Sequence, residues 1–279
     1  MSSVRRTLAP EDNIHGSKNT RMDVAGPLAS WKPDEIGHIT RYTKIADMVI
    51  KEAKRLGRPL NCFEVGCGNI WVLRHIYKSI VIRKSDVIRS YDGYDIDPAV
   101  LDEFPGWPSY PSVNDSAWLK TFGGTVHIKD VTVSPNFREI SDGYDFFWTT
   151  EVIEHMHREF VEPWLKNAAR CLRKDGLAYI STPNHDGSND KLPVDHIYEW
   201  GHEELRELLS KYFNIIQVHG VFTQVNNFNR MHKEEGRWPD HVIEDIRMRF
   251  SPEFQRVILA TAYPESSNNA AFVLRKKYR

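Results

Sequence analysis

A chain of 279 residues, 41% hydrophobic and 27% charged, can bury one substantial core with insertions but is short for two large domains. Its formal charge of -1 gives no global attraction to nucleic acid or anionic membrane, leaving only local basic patches such as 230–249 or 275–279. Three cysteines without a CxxC pair argue against a disulfide framework or a zinc site and suit a reducing cytoplasm, while no secretory or membrane-spanning segment is read.

Residues 1–33 are polar, rich in Pro, Gly, Asn and Ser, and read as a mobile arm; the remaining 34–279 read as one domain. Ile36, Ile39, Ile45, Met48, Val49, Ala53 and Leu56 then fall at helical spacing, ended by Gly57 and Pro59. Leu60 to Val65 reads as a buried strand and Ile70 to Ser79 as a helix, so Gly66 and Gly68 in FEVGCGN occupy a strand-to-helix turn. Without Cβ atoms they let a ligand lie against the backbone. A dinucleotide site would want glycine where Trp71 stands, and no phosphate-cradling GxxxxGK[ST] string exists. Glu64 beside the turn repels phosphate and suits a ligand carrying ammonium or sulfonium groups.

Further along, SYDGYDIDP ends a second strand with Asp95, placed to accept two vicinal ribose hydroxyls, and Asp97 before Pro98 reads as a helix cap. The proline-broken aromatic stretch 104–122 reads as an insertion. Thr125 to Lys129 is a strand ending in Asp130, and the apolar run from Asp145 to Thr149 is a central buried strand followed by EVIEH. Pro163 is expected to begin a helix, Leu172 to Gly176 to form a turn, and Leu177 to Thr182 to form the fifth strand. DHIYEW brings His196 and Trp200 before a helix through Leu205, Leu208, Leu209 and Phe213; Ile215 to Phe222 and Ala271 to Lys276 are the last strands. Between them, 226–268 reads as a helical insertion on the substrate side, or alternatively as the contact of a homodimer.

Taken in order, the strings FEVGCGN, GYDID, EVIEH and STPN resemble the motifs of class I S-adenosylmethionine-dependent methyltransferases, with Ile70 in place of that motif's last glycine. The resemblance spans about 36–276. It implies an α/β fold with a seven-stranded, mostly parallel Rossmann-like sheet, S-adenosylmethionine as cofactor, and cofactor contacts from Arg41, Glu64, Gly66, Cys67, Gly68, Asp95, Ile96, Asp130, Val131 and Thr149.

Methyl transfer needs alignment and removal of the acceptor's proton. His155, with His196 and Glu151, is the candidate catalytic group, the acceptor being a small-molecule or sugar-like hydroxyl. No metal ligand is assigned, but Glu151, Glu154, His155 and His196 would suit a cation, and ExxEH with DHIYEW resembles the small-RNA terminal 2′-hydroxyl methyltransferases. A non-catalytic cofactor-binding module is the remaining alternative.

Overall fold

The computed structural model describes residues 35–68, 70–78, 87–98, 119–120, 122–133, 136–138, 143–185, 192–193, 196–223 and 240–277. The expected arm at 1–33, nearly all of the insertion at 104–122 and the first part of that at 226–268 lie outside them.

In chain order the elements are α1 (Glu35–Leu56), β1 (Leu60–Val65), α2 (Trp71–Lys78), β2 (Ile88–Asp95), β3 (Gly124–Ile128), β4 (Tyr144–Thr150), α3 (Arg158–Cys171), β5 (Leu172–Pro183), α4 (His202–Ser210), β6 (Phe213–Gly220), α5 (Asp240–Arg249), α6 (Pro252–Ala262) and β7 (Asn269–Lys276). Short 3-10 turns occupy Ile153–His155 and Pro264–Ser266. The strands form one seven-stranded sheet in the order β3-β2-β1-β4-β5-β7-β6. Neighbours pair in parallel except at β7, which runs antiparallel to both β5 and β6. The sheet is that expected of a Rossmann-like methyltransferase.

Burial explains the layering. Every residue of β4 is buried, as a strand covered on both faces requires. Phe146 and Trp148 pack with Val49, Leu73 and Ile76 on the side of α1 and α2. Phe147 packs with Phe63, Trp164 and Leu165 on the side of α3. At the amino end of β4, the fully buried Asp145 accepts hydrogen bonds from both Arg58 terminal nitrogens at 2.9 and 2.7 Å and from the Asn61 backbone amide at 2.8 Å. Arg173 lies 3.0 Å from the same carboxylate, so one acid pins the starts of β1, β4 and β5.

Several boundaries differ from those read in the sequence. Helix α3 starts at Arg158 and carries Pro163 inside it, where the missing amide costs one bond while Val161, Trp164 and Leu165 hold the helix to the sheet. The expected turn at 172–176 is the start of β5, because Leu172 pairs with Tyr144 before the register shifts. Helix α4 ends at Ser210, and Phe213 already belongs to β6. Ile70 precedes α2 in a left-handed conformation, φ 49°. In the second insertion, Pro252 opens α6 at a position tolerant of its missing donor. No described helix is long and apolar enough to cross a membrane.

Candidate active site

Parallel strands present their carboxyl ends at one edge of the sheet, and the cavity lies there. Its walls come from the ends of β1, β2, β3 and β4, the glycine turn, α1 through Tyr42, and the EVIEH segment through His155 and Met156.

The glycine turn is shaped by two different needs. Gly66 has φ 67°, and a Cβ there would lie 2.1 Å from Val152 Cγ2, so close packing excludes a side chain. Gly68 has φ 45°, and a Cβ there would meet nothing within 4 Å; it would project into open space at the cavity wall. The backbone amides of Gly66 and Cys67 donate to the Tyr94 carbonyl, and that of Gly68 donates to Asp95 Oδ2 at 2.8 Å. Asp95 Oδ1 accepts from the Asp97 amide at 3.0 Å, so this acid shapes the turn as well as facing the cavity. Burial raises the Asp95 pKa, opposed by these backbone donors.

Glu64 sits deeper. It is 3% exposed and lines the cavity, and Tyr91 donates to its Oε2 at 2.5 Å. Burial pushes its pKa up to about 8 against that hydrogen bond. A carboxyl held this way gains from a cationic neighbour. Beyond the end of β3, Asp130 Oδ1 accepts from the Thr132 amide at 2.8 Å and the Thr132 hydroxyl at 2.6 Å. Ile96 and Val131 line the same end. The open space above Gly68 and the acids Glu64 and Asp95 fit a cofactor with ammonium, sulfonium and ribose groups.

Beyond β4 the chain turns sharply: Glu151 has φ 55°, and its amide donates to the Ser181 carbonyl. Its carboxylate lies 2.8 Å from Arg41 Nη1 and accepts from Asn269 Nδ2 at 2.6 Å. Arg41, 1% exposed, is therefore neither a solvated surface group nor among the residues lining the cavity. Thr149 also stays behind the wall, donating to the Val65 carbonyl at 2.9 Å.

His155 lines the cavity, its ring centroid 5.1 Å from that of His196. Its Nε2 lies 3.9 Å from Oε1 of Glu154, an oxygen with no hydrogen-bond partner among the described residues. Oε2 of the fully buried Glu154 accepts from Thr182, and burial, with Glu151 adding, pushes this carboxyl up to about 8 while His196 opposes the shift. Glu154, His155 and His196 offer ligand atoms within 4.8 Å of one another. The four-ligand set read from the sequence thus loses Glu151, whose turn and partners direct it to Arg41 and Asn269 instead. Tyr42, Trp71, Lys129, Thr150, Val152 and Met156 also line the cavity. Trp71 closely follows the glycine string and Val152 lies within EVIEH, whereas Tyr42 carried no signal of its own.

The profile of a family described as "Methyltransferase domain" matches residues 37–230. No curated protein matches the sequence. Among solved structures, the cyclase SpnF superposes with TM-score 0.56 at 14% identity, covering 99% of both chains. Magnesium protoporphyrin IX methyltransferase from Synechocystis PCC 6803, with S-adenosylmethionine bound, gives 0.54 at 10% identity over 97% of this chain and 99% of that one. The small RNA methyltransferase HEN1 gives 0.53 at 15% identity over 86% of this chain and 25% of that one. Since the fold also serves a cyclase, the family match decides the class. The chain belongs to the methyltransferase domain family and is a class I S-adenosylmethionine-dependent methyltransferase.

Proposed function

We propose that the protein methylates a hydroxyl of a small-molecule or sugar-like acceptor, with His155 as the base. One observation carries this reading: the cavity that holds the glycine turn also holds the His155 ring, backed by His196 and Glu154. S-adenosylmethionine supplies a methyl group on sulfonium sulfur. The acceptor oxygen forms the new C–O bond as the C–S bond breaks, and the hydroxyl proton passes to the His155 imidazole. Glu64 and Asp95 serve the cationic and ribose parts of the cofactor, Asp130 and Val131 the far end. Three buried cysteines, none bridged, support a cytoplasmic setting.

The test is transfer of labelled methyl to a panel of sugar, phenol, nucleoside and amine acceptors. The expected product is a methyl ether, and His155→Ala should lower turnover about 100-fold while leaving S-adenosylhomocysteine affinity unchanged. Full activity of that variant would reject His155 as base, and exclusive methylation of amines would reject the acceptor class.

A second reading rests on the grouping of Glu154, His155 and His196 within 4.8 Å. These mixed nitrogen and oxygen donors suit a divalent cation that could hold the hydroxyls of an RNA 3′ end, as the fold shared with HEN1 allows. Methyl transfer to RNA that requires added Mn2+ or Mg2+ and is abolished by chelator would favour it over the first.

A further inference from the structure

Ahead of α4, the segment that carries His196 is fastened to the turn that carries His155. The amides of Ile197 and Tyr198 both donate to the Glu154 carbonyl, at 2.7 and 3.1 Å, and the His196 amide donates to the Pro193 carbonyl. Tyr198 donates from its hydroxyl to Glu204, and Arg158 pairs with Glu204 at 2.7 Å while lying over the Tyr198 and Trp200 rings. The backbone around His196 is therefore held, but backbone bonds do not decide which way the imidazole faces or where its proton sits. Among the described residues, Glu199 makes a side-chain contact that can. Glu199 Oε1 lies 2.6 Å from His196 Nδ1, and both side chains are only 13% exposed.

We propose that Glu199 is a positioning residue for the reacting end of the cavity: it holds the His196 proton on Nδ1 and so presents the Nε2 lone pair for use beside His155 and Glu154. This rests on the reading that the histidine pair is the reacting end. A carboxylate accepts and does not donate, so the ring nitrogen facing it must carry the proton. A neutral imidazole protonated on Nδ1 keeps its lone pair on Nε2, the form that a proton relay to His155 requires. The i, i+3 spacing of His196 and Glu199 places this contact within one turn of chain, so it forms without borrowing a residue from a distant element.

The experiment is nitrogen-15 NMR of histidine-labelled protein, read with single-turnover methylation. In the wild type, His196 should show a protonated Nδ1 and an unprotonated Nε2. Glu199→Ala should lose that tautomer preference and lower kcat by about 10- to 100-fold at unchanged KM for S-adenosylmethionine. Glu199→Gln retains an accepting oxygen, so it should keep the Nδ1 proton and recover part of the rate, which also guards against an alanine variant that fails to fold. Protonation of His196 on Nε2 in the wild type, or an unchanged tautomer in Glu199→Ala, would overturn the proposal. An Nδ1 proton as expected, together with full activity in both His155→Ala and His196→Ala, would instead overturn the reading of the histidine pair, and Glu199 would then be a structural partner only.

Discussion

Ile70 stands where the resembling motif has its last glycine, and the structure explains both the cost and the compensation. A β-branched residue at φ 49° is strained, by about 1–2 kcal/mol. Its side chain is fully buried in the cluster with Leu73, Ile76 and Trp71, and removing such a side chain costs about 2–5 kcal/mol. The burial term wins. Ile70→Gly should therefore destabilise the fold by about 1–3 kcal/mol in urea titration, despite restoring the motif; a stabilised variant would show that strain dominates. The two retained glycines should respond differently. Gly66→Ala would drive a methyl into Val152 and lower stability, whereas Gly68→Ala meets open space at the cavity wall, costs only the strain of its φ of 45°, and should in addition weaken binding of S-adenosylhomocysteine. Calorimetric titration separates the two, and equal affinity of Gly68→Ala and wild type would remove that wall from the binding surface.

At the scale of elements, α1 meets the end of β4 through Arg41 and Glu151. The arginine is 1% exposed and the glutamate 19%, so the pair is only weakly screened, and Asn269 of β7 fixes the second carboxylate oxygen. Removing one partner of a buried pair costs about 3–5 kcal/mol, with the lower end expected here because Glu151 reaches the cavity. Arg41→Met alone should be much more destabilising than Arg41→Met combined with Glu151→Gln; additive single effects in that cycle would mean the two charges are not coupled. This contact was hard to read in advance. Helical spacing placed α1 correctly, and strand ends with Asp95, Asp130 and EVIEH were legible because short strand-like runs and terminal acids are local signals. The acidic partner of Arg41 lies 110 residues away and depends on a left-handed turn at Glu151 that no local pattern announces. The same is true of β5, whose first residues were read as a turn from Asp175 and Gly176 but are recruited into pairing by Tyr144 across the sheet. Long-range pairing overrode local turn chemistry there.

For the whole molecule, buried titratable groups set how stability varies with pH. Glu64 is raised from an ordinary value near 4.5 to about 8, so the folded protein binds its proton more tightly than the unfolded chain. Its contribution is fully present below about pH 4.5 and is lost as pH rises through 8. His38 and His219 shift the other way, to about 3 and about 4, because burial disfavours their charged forms, with Arg41 and Lys44 respectively adding to it. Their contributions are present above the ordinary histidine value near 6.5 and are lost as pH falls toward those lower values. Glu154 is raised to about the same value, so from about pH 4.5 to 6.5 the two glutamates oppose the two histidines, and above 6.5 the histidine contributions are constant while Glu64 and Glu154 together drive a fall. The stability of the protein without cofactor should therefore decline above pH 6.5, with Glu64 and Glu154 each contributing about 1.4 kcal/mol per pH unit up to about pH 8. Glu64→Gln keeps an oxygen to accept from Tyr91 but has no proton to lose, so urea midpoints measured from pH 6.5 to 8 should fall less steeply than in the wild type. An identical slope in the two proteins would mean that Glu64 is ionised in the fold, held by a cationic group rather than by burial, and the cavity would then be electrostatically complete before any cofactor enters.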